Sequence, residues 1–246
     1  AIKLDVNIQQ LMNLVGPQMY SKPIQEVAVK ELLQNAFHAS RSAGATEAHP
    51  KVIDITTNPE KRELTVSDSG VGMTPDIIQK AFFTIGGTHK EGKPENTSGG
   101  LGLAKMAFIL GSERIRVETV RDGIRSVVDA SSDEIRNSSF EIKTSPTSDP
   151  SGTKVTVKIP RTYLNSEGLP QEIYFSSRPS FLNNPLIGPV KVRLNGQPTK
   201  LGVDLEGWQK ENEFDFSWGT VNLYVDPRRV DYPEFNILSS GLFQFE

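Results

Sequence analysis

A carboxylate and an amide four residues apart, Glu31 and Asn35 in "ELLQNA", could between them take a proton from water and ligate a hard cation. Further along, "VSDSGVGM" (66–73) sets Asp68 beside Gly70 and Gly72, with Met73 closing the stretch. Asp68 would accept a hydrogen bond from an exocyclic amine, while the glycines let a flat ring approach the backbone. In "SGGLGLAK" (98–105), Gly99, Gly100 and Gly102, interleaved with Leu101 and Leu103, precede a helix, so backbone N–H groups converge where an anion would sit. Gly152-Thr153 opens a strand, and the threonine hydroxyl beside Asp68 would complete an amine-reading site through a water.

Each piece alone has a plainer reading. Glu31 and Asn35 share their stripe with Gln34 and His38, as a solvated polar face does; Asp-Ser-Gly is a common turn. A helix end contributes only about 0.3–1 kcal/mol through its dipole, whereas micromolar binding needs about 8 kcal/mol. The glycine turn therefore needs a cation, a base pocket and a closing loop to hold a triphosphate. "GTHKEGKP" (87–94) nearly spells a P-loop, but Pro94 stands where the metal-binding hydroxyl must be and no strand directly precedes it.

These residues need elements to position them. In "SKPIQEVAVKELLQNAFHASRSAG", Ser21 can cap, Pro23 sits in the first turn and Gly44 can close a helix bearing Glu31 and Asn35. "KVIDITT" and "ELTVSD" read as a hairpin that delivers Asp68 at a strand end. "PDIIQKAFF" reads as a short helix, and a polar glycine-rich loop leads to a further helix through "LGLAKMAFIL". "RIRVETV" and "IRSVVDA" flank an Arg-Asp-Gly turn as another hairpin. "SFEIKT" and "GTKVTVKIP" add two strands. After Pro160 the texture changes: 161–189 is proline-punctuated, and strand-like "VKVRLNGQP", "FDFSWGTVNLYVDP" and "FNILSSGLFQFE" follow. The order suggests an α+β sandwich, with helices on one face of a mixed, mostly antiparallel sheet.

The chain has 246 residues, with 27 Lys plus Arg against 30 Asp plus Glu, so it lacks the basic footprint of a dedicated nucleic-acid binder. It has no cysteine, which excludes disulfides and thiolate metal sites. Three histidines (His38, His49, His89) without ligand spacing make a zinc site a poor reading. No apolar run approaches membrane-spanning length and no signal peptide opens the chain, so a cytoplasmic protein is expected. Ala at position 1 and a strand-like stretch running to the last residue read as a piece of something longer.

Taken in order, "ELLQNA", "DSGVGM", the long glycine-rich loop, "SGGLGLAK" and "GTKVTV" resemble the GHKL ATPases, the superfamily of gyrase ATPase subunits, heat-shock chaperones, histidine kinases and MutL-type repair proteins. The resemblance spans about residues 20–160 and implies a Bergerat fold over 1–160, with 161–246 an accessory β-rich extension or partial transducer. It implies ATP held between helices and sheet. Asp68 would read the adenine amine, with Gly70, Gly72, Met73 and Thr153 nearby. Glu31 would be general base to the attacking water, Asn35 the magnesium ligand, and 99–103 the phosphate contacts, with 84–100 as lid. His38 stands where many relatives carry aspartate.

The same resemblance implies a magnesium-dependent ATPase whose lid closure drives a conformational or assembly switch in a larger protein, with an ATP-dependent homodimer as one outcome. The alternatives are a module sensing ATP or ADP without turnover, and a GHKL-type protein kinase. Histidine kinases usually carry asparagine where Glu31 stands, which favours hydrolysis. A nucleic-acid role follows only from superfamily analogy, and Arg114, Arg116, Arg121 and Arg125 read as solvated strand faces. For the lysine that reaches the terminal phosphate in gyrase- and MutL-type relatives, Lys154, Lys191, Lys200 and Lys210 are candidates, with Lys90, Lys93 and Lys105 on the lid side.

Overall fold

The computed structural model describes residues 24–83, 108–164, 167–183, 189–199, 209–216, 219–225, 237–239 and 242–245. Helix α1 (Ile24–Ser42) leads into a hairpin of β1 (Lys51–Asn58) and β2 (Glu63–Asp68). Then come α2 (Pro75–Ile77), which passes into a π-helical turn (Ile78–Phe82), and a helical turn at 108–111. β3 (Arg114–Arg121), β4 (Ile124–Ser131), α3 (Ser132–Arg136), β5 (Lys143–Pro146) and β6 (Gly152–Lys158) follow. Beyond them lie β7 (Thr162–Leu164), β8 (Pro170–Glu172), a 3-10 turn (Ser180–Asn183), β9 (Val190–Leu194) and β10 (Gln197–Thr199). β11 (Gln209–Phe216) pairs with β12 (Gly219–Val225), and β13 (Ile237–Ser239) with β14 (Leu242–Phe245).

Eight strands form one sheet in the order β10-β9-β1-β2-β6-β3-β4-β5, antiparallel throughout except where β9 runs parallel to β1. This is the mixed, mostly antiparallel α+β arrangement the sequence suggests. Period-2 alternation sends Ile53, Ile55, Leu64, Val66, Ile115, Val117, Val155 and Val157 to one face, where they are buried with α1. The opposite face carries charge. There Arg114 and Arg116 bind Asp129 (2.6 and 3.1 Å), Arg116 also binds Glu118 (2.8 Å), and Arg125 pairs with Asp149. Each of these arginines is thus paired with a carboxylate.

α1 is wrapped on most of its circumference: Ala28, Val29, Leu32, Leu33, Ala36 and Phe37 are all buried. Its first turn is held by the chain beyond residue 160. Gln25 Nε2 donates to the Ser176 carbonyl and accepts from the Ser176 N–H through Oε1, both at 2.8 Å. The Glu26 carboxylate accepts from the N–H groups of Ser180 and Phe181 (2.7 and 2.6 Å). Arg62 reaches the carbonyls of Ile159, Pro160 and Ile173. β9 is anchored by Asn195, whose backbone N–H donates to the Ile55 carbonyl (2.8 Å) and whose Oδ1 accepts from the Thr57 N–H (2.9 Å). β9 and β10, which lie beyond residue 160, thus belong to the main sheet.

The loop after β2 is squeezed between α1 and the sheet. A Cβ on Gly70 would stand 2.6 Å from the Ala39 backbone carbon and Cβ, so close approach to the helix demands a glycine there. Gly72 has φ +68°, and a Cβ would lie 2.0 Å from the Val120 carbonyl oxygen. Gly72→Ala combines a left-handed conformation with that clash, and is expected to lower stability by about 2–4 kcal/mol. Urea denaturation checks this through the midpoint; an unshifted midpoint contradicts the loop geometry.

Candidate active site

Asp68 is the last residue of β2 and follows Leu64 and Val66 on the face that packs on α1. Strand register sets it beside Thr153 of β6, Thr153 beside Thr119 of β3, and Thr119 beside Ser126 of β4. One carboxylate and three hydroxyls therefore form a single row across the sheet. The Asp68 carboxylate accepts from the Gly70 N–H (2.8 Å) and from the backbone N–H of Thr153. Burial outweighs those two donors and pushes its pKa up to about 6. A carboxylate offers about four acceptor positions, so room remains for a ligand's N–H.

Thr119 ties this corner together. Its side chain is buried, and its hydroxyl accepts from the Met73 N–H (2.9 Å), donates to the Gly152 carbonyl (2.9 Å) and lies 3.0 Å from the Thr153 hydroxyl. Sequence reasoning missed it, since a threonine in a strand draws no notice. Its signal was parity: it falls where Ile115 and Val117 predict an inward apolar side chain. Met73 packs its side chain against the core and contributes its N–H to Thr119.

α1 carries Glu31, half-buried, and Asn35, exposed between buried Gln34 and Ala36. Ala39 continues that stripe and touches Gly70, while its carbonyl accepts from the Val71 N–H (3.3 Å). The helix thus lays Glu31 and Asn35 along a line ending at the loop after Asp68. Two helical turns, on the order of 11 Å, separate Glu31 from the Gly70 contact. His38 is half-buried; desolvation, then Arg41, lowers its pKa, so it is neutral at neutral pH.

Gly99, Gly100, Leu101, Gly102 and Leu103, the 84–100 lid, and Lys90, Lys93, Lys105 and Lys200 lie outside the described residues. Phe108, Ile109 and Leu110, in the helical turn at 108–111, are buried in the core. Lys154 and Lys191 alternate onto the face away from Asp68, and Lys210 pairs with Glu213. A cavity of about 430 Å³ is lined by Ser69, Gly70, Val71, Lys51, Arg121 and neighbours. None of Glu31, Asn35, Asp68 or Thr153 lines it, so it is distinct from the row just described.

The model of the "Histidine kinase-, DNA gyrase B-, and HSP90-like ATPase" family matches residues 21–159, more than half of the chain. The chain belongs to that family. Among curated relatives of this ATPase family, the chaperone protein HtpG of Geobacter metallireducens is 27% identical over 141 residues, 49% of this chain and 21% of that protein. HtpG of Gluconobacter oxydans is 31% identical over 140 residues, covering 49% and 22%. The chain thus spans about a fifth of the length of these relatives. Among solved structures, the ATPase region of Saccharomyces cerevisiae topoisomerase II bound to ICRF-187 superposes with TM-score 0.54 at 22% identity, over 72% of this chain and 49% of that one. The ATPase and transducer domains of topoisomerase II from Balamuthia mandrillaris give 0.50 at 17% identity, over 71% and 48%. These likenesses show the ATPase-family fold. The family match encloses Glu31, Asn35, Asp68, Thr119 and Thr153.

Proposed function

We propose that the chain binds ATP with a magnesium ion and hydrolyses it slowly, and that closure of 84–100 over the nucleotide drives a conformational or assembly switch in a larger protein. One observation carries this reading: a half-buried carboxylate, Asp68, with spare acceptor positions and Thr153 beside it, at the end of the helix stripe bearing Asn35 and Glu31. Asp68 accepts from the adenine amine. Gly99, Gly100 and Gly102, with Leu101 and Leu103, cradle the phosphates. The stretch from Asp68 to Glu31 suits a nucleotide with its base at one end and its terminal phosphate at the other.

Side chains here fit magnesium. Asn35 offers an exposed amide oxygen, and the described residues hold no group of three His, Cys, Asp or Glu to compete for the ion. Magnesium usually takes one or two protein oxygens and completes its shell with substrate phosphates and water, so Asn35 would suffice as its side-chain ligand. When bound, the ion neutralises charge developing on the phosphates. Glu31 takes a proton from the water whose oxygen bonds to the terminal phosphorus, as the bond from that phosphorus to ADP breaks.

Residues 161–246 act as an accessory extension or partial transducer; the Gln25 and Glu26 contacts to 176–181 support a mechanical link to α1. A homodimer formed on ATP binding, or a protein partner in the parent chain, would receive the switch. A cytoplasmic setting fits this reading; among the described residues no helix is long and apolar enough to cross a membrane. Phosphate release from ATP, with magnesium and with a chelator, tests the proposal. Magnesium-dependent release is expected. ATP binding without release points to a sensing module, and labelled phosphate on protein points to a kinase.

A further inference from the structure

We propose that Gln25 and Glu26 are positioning residues for hydrolysis: bonded to the 176–181 backbone, they fix α1 along its own axis and so fix the place of Glu31. This deepens the reading of Glu31 as general base and rests on it. Ala28, Val29, Leu32, Leu33 and Ala36 bury α1 in the core. Apolar contact is non-directional, however, and packed helices can slide past their neighbours by small shears. Hydrogen bonds are directional and decide where along its axis a helix stops.

α1 is tied in this way at both ends. At the far end, the Ala39 carbonyl accepts from the Val71 N–H and Ala39 fits against Gly70. At the start, Gln25, only 2% exposed, exchanges two hydrogen bonds with the Ser176 backbone. Glu26 gives one carboxylate oxygen to each of the Ser180 and Phe181 N–H groups. The gripped segment is itself fixed to the β1–β2 hairpin. The Thr57 hydroxyl donates to the Ser177 carbonyl (2.7 Å), and Arg62 donates to the carbonyls of Pro160 and Ile173. Ile173 and Leu182 are buried in the core. All these side chains address backbone, so the grip does not depend on the side chains it holds. Glu31 stands about 7.5 Å along the axis from Glu26 and two turns short of Ala39. Loosening the start of α1 therefore displaces Glu31 while the Ala39 contact and the Asp68 corner stay in place.

The test compares single-turnover phosphate release, with magnesium, against titration with a non-hydrolysable ATP analogue. Glu26→Gln keeps the shape of the side chain but has one acceptor oxygen for two N–H groups. Its phosphate release should fall about 10- to 100-fold, the range for a misplacement on the order of 1 Å. Affinity for the analogue should stay within about twofold, because the loss falls on the chemical step. In the Glu31→Gln background the same change should cost less than about twofold more, since no base remains to misplace. Ser177→Ala, at an exposed residue held by its carbonyl, should keep the parent rate. A folded Glu26→Gln chain that releases phosphate at the parent rate overturns the inference. So does an equal loss in the Glu31→Gln background, which would mark a structural role independent of the base. Parent-rate release by Glu31→Gln alone overturns the reading of Glu31, and the inference with it. Should Glu26→Gln fail to fold in a thermal melt, Gln25→Met, which removes both bonds to Ser176, carries the same expectation.

Discussion

Glu31→Gln should bind a non-hydrolysable ATP analogue as tightly as the parent chain and release phosphate about 10²–10⁴ times more slowly, the range for loss of a general base. The amide keeps the shape of the side chain and its place on α1 but cannot take a proton from water. Glu31 lies on the same stripe as Asn35, two turns from the Gly70 contact, so its loss leaves the Asp68 corner untouched. Single-turnover phosphate release beside an equilibrium titration separates the two effects. A variant that hydrolyses at the parent rate removes Glu31 from the chemistry; one that loses binding makes it a structural residue.

Asp68→Asn should lose measurable affinity for adenine nucleotides while gaining stability in their absence. The sign follows from the raised pKa. A carboxyl whose folded pKa is about 6, above its unfolded 3.8, binds protons more tightly when folded. Its ionised form is therefore a cost to the free protein at neutral pH, relieved as pH falls through 6 toward the unfolded value. Asparagine removes that cost, and about 1–2 kcal/mol of added stability at pH 7 is expected after allowing for the acceptor taken from the Thr153 N–H. Nucleotide binding runs the other way: it needs the ionised acceptor, so parent affinity should fall progressively between pH 7 and pH 5. Thermal melts and titrations across that window check both trends. A less stable Asp68→Asn chain, or an affinity flat in pH, contradicts the assignment.

How much of this was legible depended on how local the signal was. The helix carrying Glu31 and Asn35 was marked by its own punctuation, down to Gly44 with φ +78° just past its end. The β3–β4 turn was equally plain, since Asp122 and Gly123 both take positive φ, as a two-residue hairpin requires. The "VKVRLNGQP" stretch reads as one strand, yet Asn195 and Gly196, at φ 50° and 79°, fold it into the β9–β10 hairpin. That signal was present and overlooked. So was the capping box of Ser131 and Glu134, which starts α3. The π-helical turn in "PDIIQKAFF", where the Phe83 N–H reaches the Ile78 carbonyl (3.0 Å), has no sequence rule behind it. Parallel pairing of β9 with β1 was beyond reach, because it depends on contacts such as Asn195 to Ile55 across a long stretch of chain.

Within the site, residue types were legible and their partners were not. Asp68 and Thr153 could be named from motif order, but their adjacency is a matter of strand register. Thr119 shows the limit: only the pairing of β3 with β6 turns an unremarked threonine into the residue joining Met73, Gly152 and Thr153. Gly70 shows the converse. Its glycine was legible as a need for close approach, while the neighbour that makes the demand in the free chain is Ala39 of α1.

A crystal structure of the chain with magnesium and a non-hydrolysable ATP analogue tests the central claim most directly. The account predicts the exocyclic amine of the base within about 2.7–3.2 Å of the Asp68 carboxylate, with Asn35 beside the metal and Glu31 facing the terminal phosphate. A base seated elsewhere, for instance in the cavity lined by Lys51 and Arg121, with Asp68 bound only to Gly70 and Thr153, would contradict it.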